Sequence, residues 1–435
     1  MTAVLSAVAP VAHARPIVQG DDVTWDLSGY FKNFASVTYV DEIYRDLNLR
    51  NQNTFWDNAS RARVRSDLRL GDPIDIAAHY EISYTYGDTR RATAAAEDLA
   101  ARLPGGDALL EALFPEAAPS RLFDLSREDT DDDWILRHGF DRLFIRYRQG
   151  PTDLTLGRAA ITWGPGYFWN PTDYFAPFSP TEIDKEEKVG VDMARVYLSL
   201  PHTISLDMIA APVRRTDGVD NIDYDRSGAA ARASINAMQF DWAVSGGYLY
   251  DKSVVGFDIA GPAWQAGLRA AATYTQPDDL GDKFETDPYV RAVVNVDYAF
   301  AWRWNPYVLG EYHYNGLGKD DPEDYGELLQ QEAVQRASSR GEVVNAGRHY
   351  AAFNITLQPH PLWTTSDSLI VNFSDGSVFY QTFAAWSILQ SLDLQFGANL
   401  TFGPVPSEFG GYELPLNGKS YGAPDSGFAY LKYYW

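Results

Sequence analysis

From Ile74 through Tyr86 the chain alternates for thirteen residues without a break. Ile74, Ile76, Ala78, Tyr80, Ile82, Tyr84 and Tyr86 share one parity, and Asp75, Ala77, His79, Glu81, Ser83 and Thr85 share the other. A helix cannot produce a period of two; a strand separating an apolar from a polar environment can. Ser391–Thr401 repeats the pattern, with Leu392, Leu394, Phe396, Ala398 and Leu400 set against Ser391, Asp393, Gln395, Asn399 and Thr401. Arg232–Asn236 and Arg291–Asp297 do the same over shorter stretches.

Followed along the chain, the alternation predicts about eighteen strands, with sixteen the other count it allows. The first spans are 23–40, 53–70, 74–87, 134–149 and 152–163; a middle one is 228–238; the last are 376–389, 391–403 and 426–435. No stretch approaches the roughly 18 uninterrupted apolar residues of a spanning helix. A strand that crosses a membrane needs only about 9–11 residues, every second one apolar, so the mean hydropathy of −0.30 leaves that route open.

Connections fall into two classes. Gly71-Asp72-Pro73, Gln149-Gly150-Pro151 and Pro201-His202 are tight turns, whereas 88–133, 164–188, 317–346 and 404–425 are long. Short turns at one end and long loops at the other are the habit of membrane barrels, and an even strand count puts both termini on the short-turn, periplasmic side. Aromatics at 14% are enough for two girdles. Tyr84, Tyr86, Tyr248, Tyr250, Tyr274, Tyr312 and Tyr314 fall at predicted outer ends. Trp25, Trp242, Tyr298, Phe300, Tyr433 and Trp435 fall at inner ends. The expected fold is therefore all-β: a transmembrane antiparallel up-and-down β-barrel over 15–435, in an outer membrane, surrounded by lipid and lipopolysaccharide. The terminal run Leu431, Tyr433, Trp435 looks like the C-terminal signal of such barrels, with Trp where Phe is usual.

Residues 1–14 read as a signal peptide or its remnant, since Ala12-His13-Ala14 fits a small-x-small cleavage site; the basic start is missing, and an Ala-rich tail is the other reading. The absence of cysteine excludes disulfides and thiolate metal sites, and a net charge of −23 argues against nucleic acid as a partner. Residues 92–118 carry Ala and Leu at helical spacing and predict two short helices around Pro104-Gly105-Gly106, within the external loop 88–133.

Two features bear on function. In the second strand Arg61, Arg63, Arg65 and Arg69 share a parity opposite to Ala62, Val64, Leu68 and Leu70. An arginine facing lipid at the midplane costs about 2–4 kcal/mol, so these side chains are expected to line the lumen. Arg142, Arg146 and Arg148 form a second row, which Arg158 and Arg195 extend. They read either as an electropositive ladder that selects a solute or as braces paired to carboxylates on neighbouring strands. The second feature is the segment 163–192, dense in Pro, Gly and aromatic residues and hence a compact loop. Its core, 164–188, is expected to fold inward as a constriction. Trp163 and the carboxylates Asp173, Glu182, Asp184, Glu186 and Glu187 would face the arginine rows there. The acidic runs Glu128–Asp133 and Lys319–Glu327 read as solvated faces.

Gly157-Arg158-Ala159-Ala160-Ile161-Thr162-Trp163-Gly164, followed by Asn170-Pro171-Thr172-Asp173, resembles the Gly-Arg-Gln…Trp-Gly…Asn-Pro-x-Asp segment of a broad group of proteobacterial outer-membrane barrels. That group includes porin-like proteins and is akin to the alginate-export barrels. Val255–Gly261 and Gly267-Leu268-Arg269 are similar to a second segment of the group. Ala159 stands where the group has Gln. The resemblance implies a porin-like transport role.

Catalysis has little support. His79 and His313 are the histidines on predicted inward faces, His313 near Glu311, but no serine is marked out as a nucleophile and no phosphate loop or metal spacing is present. The expectation is a channel rather than an enzyme, without metal or cofactor, for passive diffusion of small polar or anionic solutes. The alternative is an export conduit for an anionic exopolysaccharide working with periplasmic partners. Self-association as a homo-oligomer is left open.

Overall fold

A computed structural model describes residues 15–102, 121–181, 186–214, 222–278, 287–331, 334, 337, 345–414 and 419–435. Eighteen antiparallel strands form the barrel wall. They are β1 (Val23–Tyr39), β2 (Thr54–Leu70), β3 (Ile74–Gly87), β4 (Trp134–Gln149), β5 (Thr152–Ala159), β6 (Val191–Ser199), β7 (Ile204–Arg214), β8 (Ile222–Ala237) and β9 (Phe240–Leu249). They continue with β10 (Lys252–Ala263), β11 (Ala266–Pro277), β12 (Tyr289–Ala299), β13 (Tyr307–Asn315), β14 (His349–His360), β15 (Trp363–Asn372), β16 (Val378–Leu389), β17 (Leu392–Phe402) and β18 (Asp425–Tyr434). Each strand pairs with its sequence neighbours, and β1 closes on β18 with Tyr30 opposite Tyr434 and Tyr39 opposite Asp425. Closure removes the two edges that an open sheet would present.

The parity read from sequence holds in three dimensions. On β3, Ile82, Tyr84 and Tyr86 are exposed on the outer face, while Ala77 is buried inside. Tyr248, Tyr274 and Tyr312 are likewise exposed toward the loop end, and Trp25, Phe300 and Tyr433 toward the terminal end. Tyr250 departs from that rim: it takes a positive φ of 54° and packs against an interior cluster.

Several boundaries differ from expectation. The strand expected over 152–163 stops at Ala159, because Ile161 and Trp163 leave the sheet for the interior. The strand expected from 228 begins at Ile222, with a register shift between Asp223 and Gly228. The helical insertion is present as α1 (Asp88–Ala100), starting four residues before the expected segment. The second expected helix falls in 103–120 and, like residues 1–14, outside the described residues. Four short strands were not anticipated: Arg15–Gln19 pairs with β1, Ser126–Thr130 pairs with β4 beyond the point where β5 has ended, and Gly411–Leu414 pairs with Lys419–Gly422.

Candidate functional site: the inward loop and the charged wall

Between β5 and β6, residues 160–181 and 186–190 lie on the inside of the barrel. Two apolar clusters hold the first half of this loop. Ile161, Trp163, Tyr174 and Phe175 pack on Met193, Ile209, Ala211, Ala230, Leu249 and Val254, whose strands span β6 to β10. Phe168 and Trp169 pack on Ala271, Val293, Leu309, Tyr350, Ala352, Ile370 and Phe379, from β11 to β16. Small inward residues such as Ala211, Ala230, Ala271 and Ala352 make room for the loop's rings, so its aromatic content and the small-residue wall are two sides of one fit.

Polar ties fix the loop's position. The Glu311 carboxylate on β13 accepts the backbone N–H groups of Tyr167 (2.9 Å), Phe168 (3.0 Å) and Trp169 (2.8 Å), and a fourth bond from Asn295 Nδ2 (2.9 Å). The Trp169 indole stacks on His313 at 5.0 Å and donates to Asn345 Oδ1 at 2.8 Å. Trp163 Nε1 donates to Asp207 (2.8 Å), and Tyr174 OH shares a bond with Ser245 (2.8 Å). Gly164 takes φ +74° where a Cβ would collide with Thr172 Oγ1 and Asn170 Oδ1, which accounts for the Trp-Gly pair.

The return limb crosses to the opposite wall. Glu186 bridges Lys32 Nζ (2.6 Å) on β1 and Lys432 Nζ (2.7 Å) on β18, and accepts from Tyr434 OH (3.0 Å). Glu187 accepts from Arg63 (2.7 Å) and from Arg65. At the neck, Lys188 donates to Ile161 C=O (3.0 Å) and pairs with Asp173, while Arg142 donates to Lys188 C=O. Burial pushes the Asp173 carboxyl up to about 6, against the pull of Lys188, and its Oδ1 has no hydrogen-bond partner. Glu182 and Asp184 lie outside the described residues.

All nine arginines singled out from sequence carry carboxylate partners. Arg63, with its side chain only 3% exposed, meets Glu81 (2.7 Å), Asp141 (2.8 Å) and Glu187 (2.7 Å). Arg61 lies 3.4 Å from Glu81. Arg69 and Arg148 share Asp75 at 3.1 and 2.6 Å. Arg142 bonds Asp141 (2.5 Å), Arg146 pairs with Asp153, and Arg195 with Asp207 (2.6 Å). Arg232–Asp258 (2.7 Å) and Arg269–Asp297 continue the row on β8 to β12. Tyr30 sits at the centre of the β1–β2 group, with Lys32 at 4.4 Å, Arg65 at 5.3 Å and Arg63 at 5.6 Å from its ring. The far wall carries neutral pairs: Asn354 bonds Ser366 and Ser368 at 2.9 Å, Gln381 bonds Asn399 at 3.0 Å, and Asn399 bonds Ser426 at 3.2 Å.

Arg158 is placed differently from the other eight. It stands opposite Leu143 and Asp192, on the parity of Leu154 and Leu156, and is fully buried. It pairs with Asp192 at 2.6 Å and donates to the carbonyls of Phe140 (2.9 Å) and Phe123 (2.7 Å). A side chain with no exposure is part of the wall rather than of a lumen lining. Sequence reasoning also passed over Lys32, Lys432, Tyr30, Asp207 and the anchoring part of Glu311. Their inward parity was visible, but nothing local says that a loop would come to meet them.

No protein-family model matches the chain, and no curated protein matches it. Solved structures do. OccAB1 of Acinetobacter baumannii superposes with a TM-score of 0.54 at 10% identity, over 98% of each chain. OccD3 (OpdP) of Pseudomonas aeruginosa gives 0.51 at 10% identity, over 98% of this chain and 93% of that one. A BenF-like porin from Pseudomonas fluorescens Pf-5 gives 0.51 at 9% identity, over 94% and 98%. At these identities the likeness is one of fold: the closed eighteen-strand antiparallel barrel.

Proposed function

We propose that this chain is an outer-membrane porin through which small polar or anionic solutes diffuse passively. The observation that carries the reading is the loop 160–190, anchored at Glu311 on one wall and at Lys32, Lys432 and Arg63 on the other. An interior closed by eighteen strands holds water unless it is filled, and a loop pinned across it sets the bore. That one fold neighbour is a BenF-like porin fits this role. Both termini lie in the periplasm in this reading, with the long loops and α1 outside among lipopolysaccharide.

An anion preference follows from the inward charges around the return limb. Lys32, Arg61, Arg63, Arg65, Arg142 and Lys432 face Glu81, Asp141, Glu186, Glu187 and Asp393, six cations against five carboxylates among the described residues. Among the described residues the arginines then both brace the wall and leave a small excess of positive charge. Export of an anionic polysaccharide has less support, because the loop's ties run from wall to wall across the path a polymer would take. Liposome-swelling assays test the proposal. Small sugars and monocarboxylates should enter proteoliposomes while larger oligosaccharides are excluded. Swelling no faster than in protein-free liposomes would refute it.

A further inference from the structure

The outer face of the wall carries a trough. Leu156, Ala194, Ala210, Ala229 and Tyr248 stand directly opposite one another across β5 to β9, so three successive strands present alanine in one row. Alanine leaves the sheet surface bare between the flanking Leu156, 57% exposed, and Tyr248. Phe123 borders the trough on one side and Tyr224, 77% exposed, on another, giving a groove of about 680 Å3. A methylene takes roughly the ~30 Å3 of a liquid water, so the groove accommodates on the order of twenty methylenes, one or two acyl chains.

The border at Phe123 is not loosely draped. The N–H groups of Leu122 and Phe123 donate to Asp192 Oδ2 at 3.0 and 2.9 Å, and Arg158 holds the Phe123 carbonyl. The buried Arg158–Asp192 pair therefore fixes the groove's rim. At the loop end of the groove Arg121 and Arg214 adjoin through their backbones. Arg214 is exposed on the parity of Ala210 and Pro212, and its N–H donates to the Arg121 carbonyl at 3.2 Å. Among the described residues neither arginine forms an ion pair, and Arg121 Nε has no hydrogen-bond partner. Burial and the nearby Arg158 guanidinium depress the Arg121 pKa, against the opposing pull of Asp141 and Asp192.

We propose that this groove binds lipopolysaccharide of the outer leaflet, its acyl chains over the alanine row and a lipid phosphate on Arg214 and Arg121. The assignment rests on the outer-membrane placement proposed above. Guanidinium groups recognise phosphate through paired charged hydrogen bonds, and an apolar trough ending in these two arginines matches a lipid with both parts.

The test is native mass spectrometry of the full chain in mild detergent, mixed with rough lipopolysaccharide, with its dephosphorylated form, and with phosphatidylethanolamine. The phosphorylated form should be retained about tenfold better than either of the others. Arg214→Gln should remove most of that preference, and Ala210→Trp should weaken retention of both lipopolysaccharide forms by filling the trough. Heat-modifiable migration checks that each variant is folded. Equal retention by wild type and both variants would overturn the proposal. So would a dimer mass without lipid that Ala210→Trp dissociates, which would make the groove a subunit interface. A barrel that binds the lipid yet passes no solute supports this inference and sinks the channel reading, so the two failures are separable.

Discussion

Replacing Glu311 by Ala withdraws the acceptor that fixes the tip of the inward loop. Four N–H donors lose their partner: those of Tyr167, Phe168 and Trp169, and Asn295 Nδ2. Each bond to a charged group contributes about 1.5–3 kcal/mol, and a buried donor left unpaired costs about 1–3 kcal/mol. The three backbone donors alone put the gross loss at roughly 3–9 kcal/mol. Every 1.4 kcal/mol is tenfold in an equilibrium, so even the low end moves a pinned tip into exchange with displaced states. The barrel wall keeps its own ladder bonds, so the loss should appear in the channel and not in closure of the sheet. In planar bilayers Glu311→Ala should raise the mean single-channel conductance and add flicker, while the heat-modifiable gel shift persists. Glu311→Gln keeps one acceptor oxygen and should fall between. Conductance and noise indistinguishable from wild type would refute the idea that Glu311 holds the constriction.

Other consequences follow from the same geometry. Changing Arg61, Arg63 and Arg65 together to Ser should move the reversal potential in a salt gradient toward cation selectivity, and no movement would reduce them to braces. Arg158→Ala leaves Asp192 buried without its cation and should cost about 3–5 kcal/mol; thermal unfolding should show the Arg158→Ala/Asp192→Ala pair less affected than the single change. The Asp173 carboxyl, raised to about 6 from 3.8, binds its proton more readily in the folded loop. Its contribution to stability is therefore fully present below pH ~3.8 and lost as pH rises through about 6. The melting temperature of Asp173→Asn should lack that component of the pH dependence; identical profiles would contradict it.

How much of this was legible in sequence depends on the range of the interaction. Alternation is local, and it located all eighteen wall strands, since a slip of one residue would turn a whole apolar face inward. Partners across strands were not legible, because they need the register. Arg195 stands opposite Ile209 yet reaches Asp207 diagonally. The loop's composition marked it as ordered, but Glu311 lies 144 residues from Tyr167, and no pattern links them. Arg158 misled because it reads as an extension of the arginine row on the preceding strand, whereas its own strand parity, shared with Leu154 and Leu156, points to the wall. The in-register alanines Ala194, Ala210 and Ala229 are invisible as a row until three strands are aligned.

The central claim is an open channel narrowed by one inward loop. Single-channel recording of the purified wild-type chain in a potassium chloride gradient tests it most directly. Stable conductance steps are expected, with a reversal potential on the anion-selective side. A correctly folded, heat-modifiable barrel that stays electrically silent, or one that is cation-selective, would contradict it.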